Sequence, residues 1–179
     1  AVGYFSLNTN STGAQNVGLG CGALSSNTTA SENVGVGHGS LGDNTTGGNN
    51  TAIGSFSLRN NTTANNNTAV GFCALKANTT GCHNVAIGTQ TMDANTEGVR
   101  NIGIGHAALG SNTTANNSQA IGYNALSTNT TGCQNTAIGS QSMNANTTGS
   151  NNMAIGISSL FSNTEGSNNI AIGCGALIS

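Results

Sequence analysis

The chain has 179 residues and a formal net charge of −2, and only 4% of its residues are charged. Three Lys and Arg residues cannot neutralise many phosphates, so this composition excludes a nucleic-acid-binding protein. No run of eighteen apolar residues is present, so membrane insertion is not expected. Disordered chains combine low hydrophobicity with high net charge, whereas this chain is 35% apolar, and we therefore expect an ordered domain.

A repeat of 17 residues runs through the whole chain without a gap. Residues 120–136 read AIGYNALSTNTTGCQNT, and with Ile121 as position 1 of the unit, the same position holds Val2 in the first row and Ile172 in the last. A fixed period this short is typical of a solenoid whose coils bury their apolar sides against their neighbours. The sequence predicts an all-β protein, a single parallel β-solenoid domain over residues 1–179, with about ten and a half coils.

Each coil is predicted to contain two or three short strands, at positions 15 to 1, 4 to 7 and 9 to 11. Helices are not expected because Gly, Asn and Thr recur too closely for a helical period. Position 2 is Gly in all eleven rows, which predicts a corner or a close approach between coils. Neither terminal row differs from the others, so no capping repeat is evident and the open ends are expected to favour stacking.

Two apolar columns are predicted to form the core. Position 1 is always Val, Leu or Ile, and position 6 is Leu except at Met92 and Met143. Positions 5 and 17 carry small residues that would flank these columns. An unpaired buried carboxylate is costly, so Ile104→Asp in the first column is expected to unfold several coils.

Asparagine occupies two further columns. Position 9 is Asn in all ten rows that reach it, and position 15 is Asn in nine rows, with Ser118 as the exception. Stacked identical amides can hydrogen-bond from coil to coil as ladders, which would satisfy buried polar groups and fix the register. We interpret both columns as structural.

Threonine dominates positions 10 and 11. Side chains alternate between the two faces of a strand, and we expect position 10 to face outward on a flat, narrow surface. Position 11 is interrupted by Glu97 and Glu165. The candidate binding face is therefore the Thr ladder at position 10: Thr28, Thr45, Thr62, Thr79, Thr96, Thr113, Thr130, Thr147 and Thr164.

Sequence variation is concentrated at positions 3, 4, 7, 13 and 14. A core would not accept such mixtures, so these columns are predicted to face solvent or a neighbouring chain. Position 16 is half apolar and could pack against another protomer. The candidate variable contact column is position 3, with Tyr4, His38, Phe72, His106, Tyr123 and Ile157 as its main members.

The motif NTAIG, as in Asn135 to Gly139, is followed by a small residue and Leu and then by NTTG, as in Asn146 to Gly149. This repeat resembles those of phage and large-virus tail-fibre proteins. It resembles more distantly the heads of trimeric autotransporter adhesins, whose shorter NxxAIG repeat winds a left-handed β-roll in a trimer. The resemblance covers the whole chain, and it implies a left-handed coil and an extracellular or virion-surface location.

No catalytic, metal or cofactor site is expected. The three His and eight charged residues are scattered along the predicted rod, whereas catalysis needs groups that converge. His38 and His106 share a column but lie four coils apart, near 19 Å at strand spacing. The five cysteines are interpreted mainly as free thiols, with a pairing of Cys73 and Cys82 across one coil as the lesser alternative.

The leading functional interpretation is a non-enzymatic fibre or adhesin segment that self-associates as a trimer or an end-to-end filament and contacts a host or cell surface. The alternative is an ice-binding protein, because a flat and uncharged Thr array could order water. A third reading takes the Asn-Thr-Thr sequences as N-glycosylation acceptors on a secreted filament.

Overall fold

The computed structural model describes residues 1–178 and contains ten three-residue strands in one parallel sheet. The strands are β1 (Val17–Leu19), β2 (Val34–Val36), β3 (Thr51–Ile53), β4 (Thr68–Val70), β5 (Val85–Ile87), β6 (Ile102–Ile104), β7 (Gln119–Ile121), β8 (Thr136–Ile138), β9 (Met153–Ile155) and β10 (Ile170–Ile172). They follow one another in chain order, and each residue pairs with the residue seventeen positions later, as Thr51 does with Thr68. The predicted parallel β-solenoid with 17-residue coils is confirmed.

Each coil has one strand, at positions 16, 17 and 1, instead of two or three. Positions 3 to 8 form turns: the Ala125 N–H bonds the Gly122 carbonyl at 3.4 Å, and the Asn129 N–H bonds the Leu126 carbonyl at 3.3 Å. Positions 4 and 6 have a left-handed backbone, with φ of 50° at Asn124 and 52° at Leu126, which a strand cannot contain. The strand predicted at positions 4 to 7 is therefore wrong.

The strand predicted at positions 9 to 11 is also wrong. The backbone N–H groups of Thr45 and Thr46 both donate to the carbonyl of Thr62 in the next coil, at 2.9 and 3.2 Å. A regular parallel ladder does not direct two successive donors to one acceptor. This side of the coil is a bend that is nevertheless hydrogen-bonded to its neighbours.

The glycine at position 2 fills both of its predicted roles. Gly88 has a backbone φ of 136°, a conformation that residues with a Cβ rarely adopt. A Cβ at Gly88 would also lie 2.6 Å from the carbonyl oxygen of Gly105 in the next coil. The corner therefore needs glycine both for its backbone angle and for the stacking distance.

The core is made by positions 5, 6 and 17. Leu109, Ala108 and Ala120 represent these columns, and all three are fully buried. Position 6 is thus confirmed as a core column. The small residues at positions 5 and 17 line the interior itself.

Position 1 is not a core column. Ile104 and Ile121 each keep 36% of their surface exposed. Side chains alternate along each strand, so position 17 points into the core and its neighbours at positions 16 and 1 point outward. The coil is too thin for a larger side chain there: a Cβ on Gly103 at position 17 would lie 3.1 Å from the Met92 Cγ. The expectation that Ile104→Asp unfolds the coils is corrected accordingly.

The position 9 asparagines form the predicted amide ladder. The Asn78 Nδ2 donates to the Asn61 Oδ1 of the preceding coil at 3.0 Å and to the Gly81 carbonyl of its own coil at 2.9 Å. Both asparagines are completely buried. The ladder satisfies polar groups that would otherwise be orphaned inside a very small core.

The position 15 asparagines also bridge coils, but through the backbone. The Asn67 Oδ1 accepts the backbone N–H of Asn84 at 2.9 Å, and its Nδ2 donates to the Gly81 carbonyl at 2.9 Å. That carbonyl therefore joins the two Asn columns. Ser118, the exception, accepts the Asn135 N–H with its hydroxyl at a longer 3.3 Å.

Candidate contact surfaces

The outward face of the ten-stranded sheet is formed by positions 16 and 1, and we call it the strand face. Every strand contributes Val, Leu or Ile at position 1, and position 16 alternates among aliphatic residues, Thr and Gln. The most exposed of these side chains keep between 36% and 67% of their surface accessible: Val17, Leu19, Ile53, Ile87, Ile102, Ile104, Ile121, Met153, Ile170 and Ile172. The result is an apolar strip along the length of the sheet.

The predicted Thr ladder lies at the bend and is less exposed than expected. The Thr79 Oγ1 donates to the Thr96 carbonyl of the next coil at 3.1 Å, and the other members of the column repeat this bond where a next coil is present. Thr28, Thr45, Thr62, Thr79, Thr96, Thr113, Thr130 and Thr147 are half-buried, and Thr164 is exposed. The hydroxyl protons of all these residues except Thr164 are therefore already engaged within the solenoid.

The threonine column that faces outward is position 11. The prediction that position 10 is the outward column is therefore wrong. The members of position 11 are all exposed: Thr12, Thr29, Thr46, Thr63, Thr80, Glu97, Thr114, Thr131, Thr148 and Glu165. Two successive N–H groups bond one carbonyl at this bend, which turns the position 10 side chain along the coil stack. Strand alternation could not supply this result because positions 9 to 11 are not a strand.

The variable contact column is exposed as predicted, at Tyr4, His38, Phe72, His106, Tyr123 and Ile157. These residues do not form one site. His106 and Tyr123 stack on each other with ring centroids 5.5 Å apart, and Tyr4 packs on Phe5 at 4.1 Å. His38 and Phe72 belong to a separate group, because both contact Phe56.

Phe56 at position 4 is the centre of a cluster that the sequence did not reveal. His38 lies edge-on to it with ring centroids 4.8 Å apart, Phe72 lies edge-on at 6.4 Å, and the Arg59 guanidinium carbon lies 5.2 Å from the ring centroid. Arg59 and Lys76 are both at position 7 in consecutive coils, and this spacing was the feature of the sequence that could have indicated the cluster. We call these five residues the Phe56 cluster.

Among the remaining titratable groups, Asp93 and Cys73 lie close enough to Lys76 for its charge to act on both. Burial raises the pKa of the Asp93 carboxyl, against the opposing effects of its backbone hydrogen bonds and of the Lys76 charge. Burial likewise raises the pKa of the Cys73 thiol, and all five cysteines are free thiols. Within residues 1–178, no group of three or more His, Cys, Asp or Glu side chains is placed to hold a metal ion, and no helix could span a membrane.

Comparison of the chain with protein-family models, with curated proteins and with solved structures gave no match. Functional inference therefore rests on the strand face, the threonine columns and the Phe56 cluster.

Proposed function

We propose that this protein is a non-enzymatic structural fibre segment, a rigid rod whose copies associate side by side through the strand face. The observation that carries the proposal is the continuous column of aliphatic side chains outside the sheet. Parallel sheets normally have both faces covered, yet this one covers only its inner face. A second copy of the same rod, with the same coil spacing, would cover the outer face in register.

The strand face is an extended apolar surface. Ten of its apolar side chains, spread from β1 to β10, keep between 36% and 67% of their surface exposed. Soluble monomers rarely expose contiguous apolar patches above a few hundred Å². The formal net charge of −2 over 179 residues gives little repulsion between copies.

In this proposal the exposed variable column supplies attachment. Its aromatic and His side chains differ from coil to coil, whereas position 1 of the strand face is always Val, Leu or Ile. A rod that is monotonous on one side and varied on another suits an extracellular or virion-surface fibre, in which one side assembles and another contacts a host or cell surface.

The proposal is tested by measuring size. Sedimentation of the wild type should show a dimer, a trimer or larger assemblies, and Ile104→Asp with Ile121→Asp should shift it to monomers because two carboxylates would face the contact. Tyr123→Ser lies outside the strand face and serves as the control that should leave assembly unchanged. A wild type that remains monomeric at high concentration would refute side-by-side assembly.

Ice binding is a second candidate, favoured by one specific observation. The position 11 threonines are exposed, nearly uninterrupted and spaced by the constant rise between coils. Such a column could order water. The engaged hydroxyls of position 10 could not donate to water, because they already donate to carbonyls of the next coil.

The two threonine columns can be tested separately. If the protein binds ice, Thr80→Tyr should abolish the shaping of growing ice crystals with an almost unchanged melting temperature, because the bulky ring holds the lattice away. Thr79→Tyr should lower the melting temperature as well, since it removes the hydrogen bond to the Thr96 carbonyl. Wild-type protein that leaves ice crystals unshaped would reject this candidate.

A further inference from the structure

Two of the few positive charges of the chain lie in the Phe56 cluster, and one of them, Lys76, also acts on the Asp93 carboxyl of the next coil. The sequence contains three Lys and Arg residues, and two of them, Arg59 and Lys76, occupy the same position in adjacent coils. Coils stacked at strand spacing bring the two side chains into one neighbourhood. Together with Phe56 and Asn60 they line a surface cleft of about 270 Å³.

Arg59 is held in place by its neighbours. Its guanidinium lies over the Phe56 ring, and a Cβ at Gly39 in the preceding coil would lie 3.1 Å from the Phe56 Cδ1 and 3.5 Å from the Arg59 Nη1. The absence of a side chain at Gly39 thus leaves room for the Phe56 ring, against which the guanidinium packs. An arginine that is already ordered loses less conformational freedom when it binds a ligand.

A second aromatic ring lies beside Phe56, the ring over which the Arg59 guanidinium lies. Phe72 is 49% exposed and packs edge-on to Phe56. The face of an aromatic ring carries partial negative charge, so it attracts the weakly positive C–H groups of a ligand. A ligand of this site would therefore combine an anionic group with a C–H-rich face.

We propose that the cleft of the Phe56 cluster binds a carboxylated or sulfated sugar unit of a surface polysaccharide. Arg59 would hold the anionic group through paired N–H donors and Lys76 through its ammonium. The ring C–H groups would pack on Phe72, and the Asn60 amide would bond a hydroxyl. This inference rests on the proposed function, because it names the class of surface to which the fibre attaches.

The size and the charge of the site favour a sugar unit over a nucleic acid. Clefts that enclose drug-sized ligands measure about 300 to 1,000 Å³, so a cleft of about 270 Å³ suits one small unit of a polymer. Nucleic-acid binding instead needs basic side chains spread along a groove. Here the third basic residue, Arg100, lies at position 14 of a later coil.

Direct binding tests the proposal on the whole chain. Calorimetric titration at low salt with a sulfated polysaccharide, with hyaluronate and with neutral dextran should show binding of one or both anionic polymers and none of dextran. Arg59→Gln with Lys76→Gln should weaken this binding by about tenfold or more, because it removes both charged donors. Phe72→Ala should weaken it with no change of charge, and Arg100→Gln, the matched control, should bind like the wild type.

Several outcomes would overturn the assignment. Equal losses in the Arg100→Gln and Arg59→Gln variants would indicate nonspecific attraction, and equal binding of dextran would remove the role of charge. Equal binding of single-stranded DNA, lost in the same variants, would show a general polyanion site with no preference for sugars. Sedimentation of each variant separates this result from fibre assembly, which the Phe56 cluster variants should leave intact.

Discussion

Replacing Leu109 by Asp is expected to unfold the solenoid around its seventh coil. Leu109 is fully buried in a core that is one side chain deep. Truncation of a buried Leu costs about 2 to 5 kcal/mol, and burial of an unpaired carboxylate adds to this. Circular dichroism should show loss of β structure or a melting temperature lowered by many degrees.

Ile104→Asp in the same coil is the matched control. Ile104 is also aliphatic, but 36% of its surface is exposed on the strand face. Its variant should keep the β spectrum and melt close to the wild-type temperature at concentrations where the protein is monomeric. If both variants unfold to the same extent, the assignment of the inward and outward faces is wrong.

Asn78→Asp is expected to have the second large effect although it hardly changes the side-chain shape. The Asn78 Nδ2 donates two hydrogen bonds inside the protein, and a carboxylate oxygen in its place would face two acceptors. Burial and these acceptors both raise the pKa of the new carboxyl above its value of about 3.9 in an unfolded chain. The folded state then binds the proton more tightly than the unfolded state does.

This difference fixes the sign of the pH dependence. Stability of the Asn78→Asp protein should be highest below the unfolded pKa, fall as pH rises from there to the raised folded pKa, and remain low at neutral pH. Urea unfolding at pH 3.5 and pH 7 measures the change relative to the wild type. Asn117→Asp lies on the exposed position 14, and its stability should stay close to that of the wild type at both pH values. If the stability of Asn78→Asp relative to the wild type rises from pH 3.5 to pH 7, the ladder geometry is wrong.

The sequence was sufficient to predict what depends on repetition. The period, the parallel pairing, the buried Leu column and the Asn ladder all follow from identical residues stacked at a constant spacing. The two aliphatic columns could not be told apart by composition, since Ile104 and Leu109 are equally apolar. The distinguishing signal was the neighbour of position 1: an invariant Ala or Gly, as at Gly103, marks the side of the strand that faces a close opposite wall.

The turns limited what could be predicted of the candidate surfaces. Leu126 and the other position 6 residues adopt a left-handed backbone that non-glycine residues seldom take, and no local signal marks it. The contacts of the buried Leu column and the hydrogen bonds between coils hold this conformation in place. The alternation of side chains along a strand ends at these turns. Side-chain periodicity therefore could not predict the outward threonine column or the grouping of His38 and Phe72 around Phe56.

The constant register also restricts how such a chain can change in length. Every junction between coils uses the same backbone pairing and, with the exception at Ser118, the same Asn contacts. Duplication or deletion of a whole 17-residue unit would join two surfaces that already match, and it would change the rod by about 4.8 Å. Insertion of a single residue would instead misalign the glycine corner, the Leu column and both Asn columns together. Recombination between repeats can therefore adjust the reach of the rod in uniform steps, whereas a small insertion would disrupt the coil that receives it.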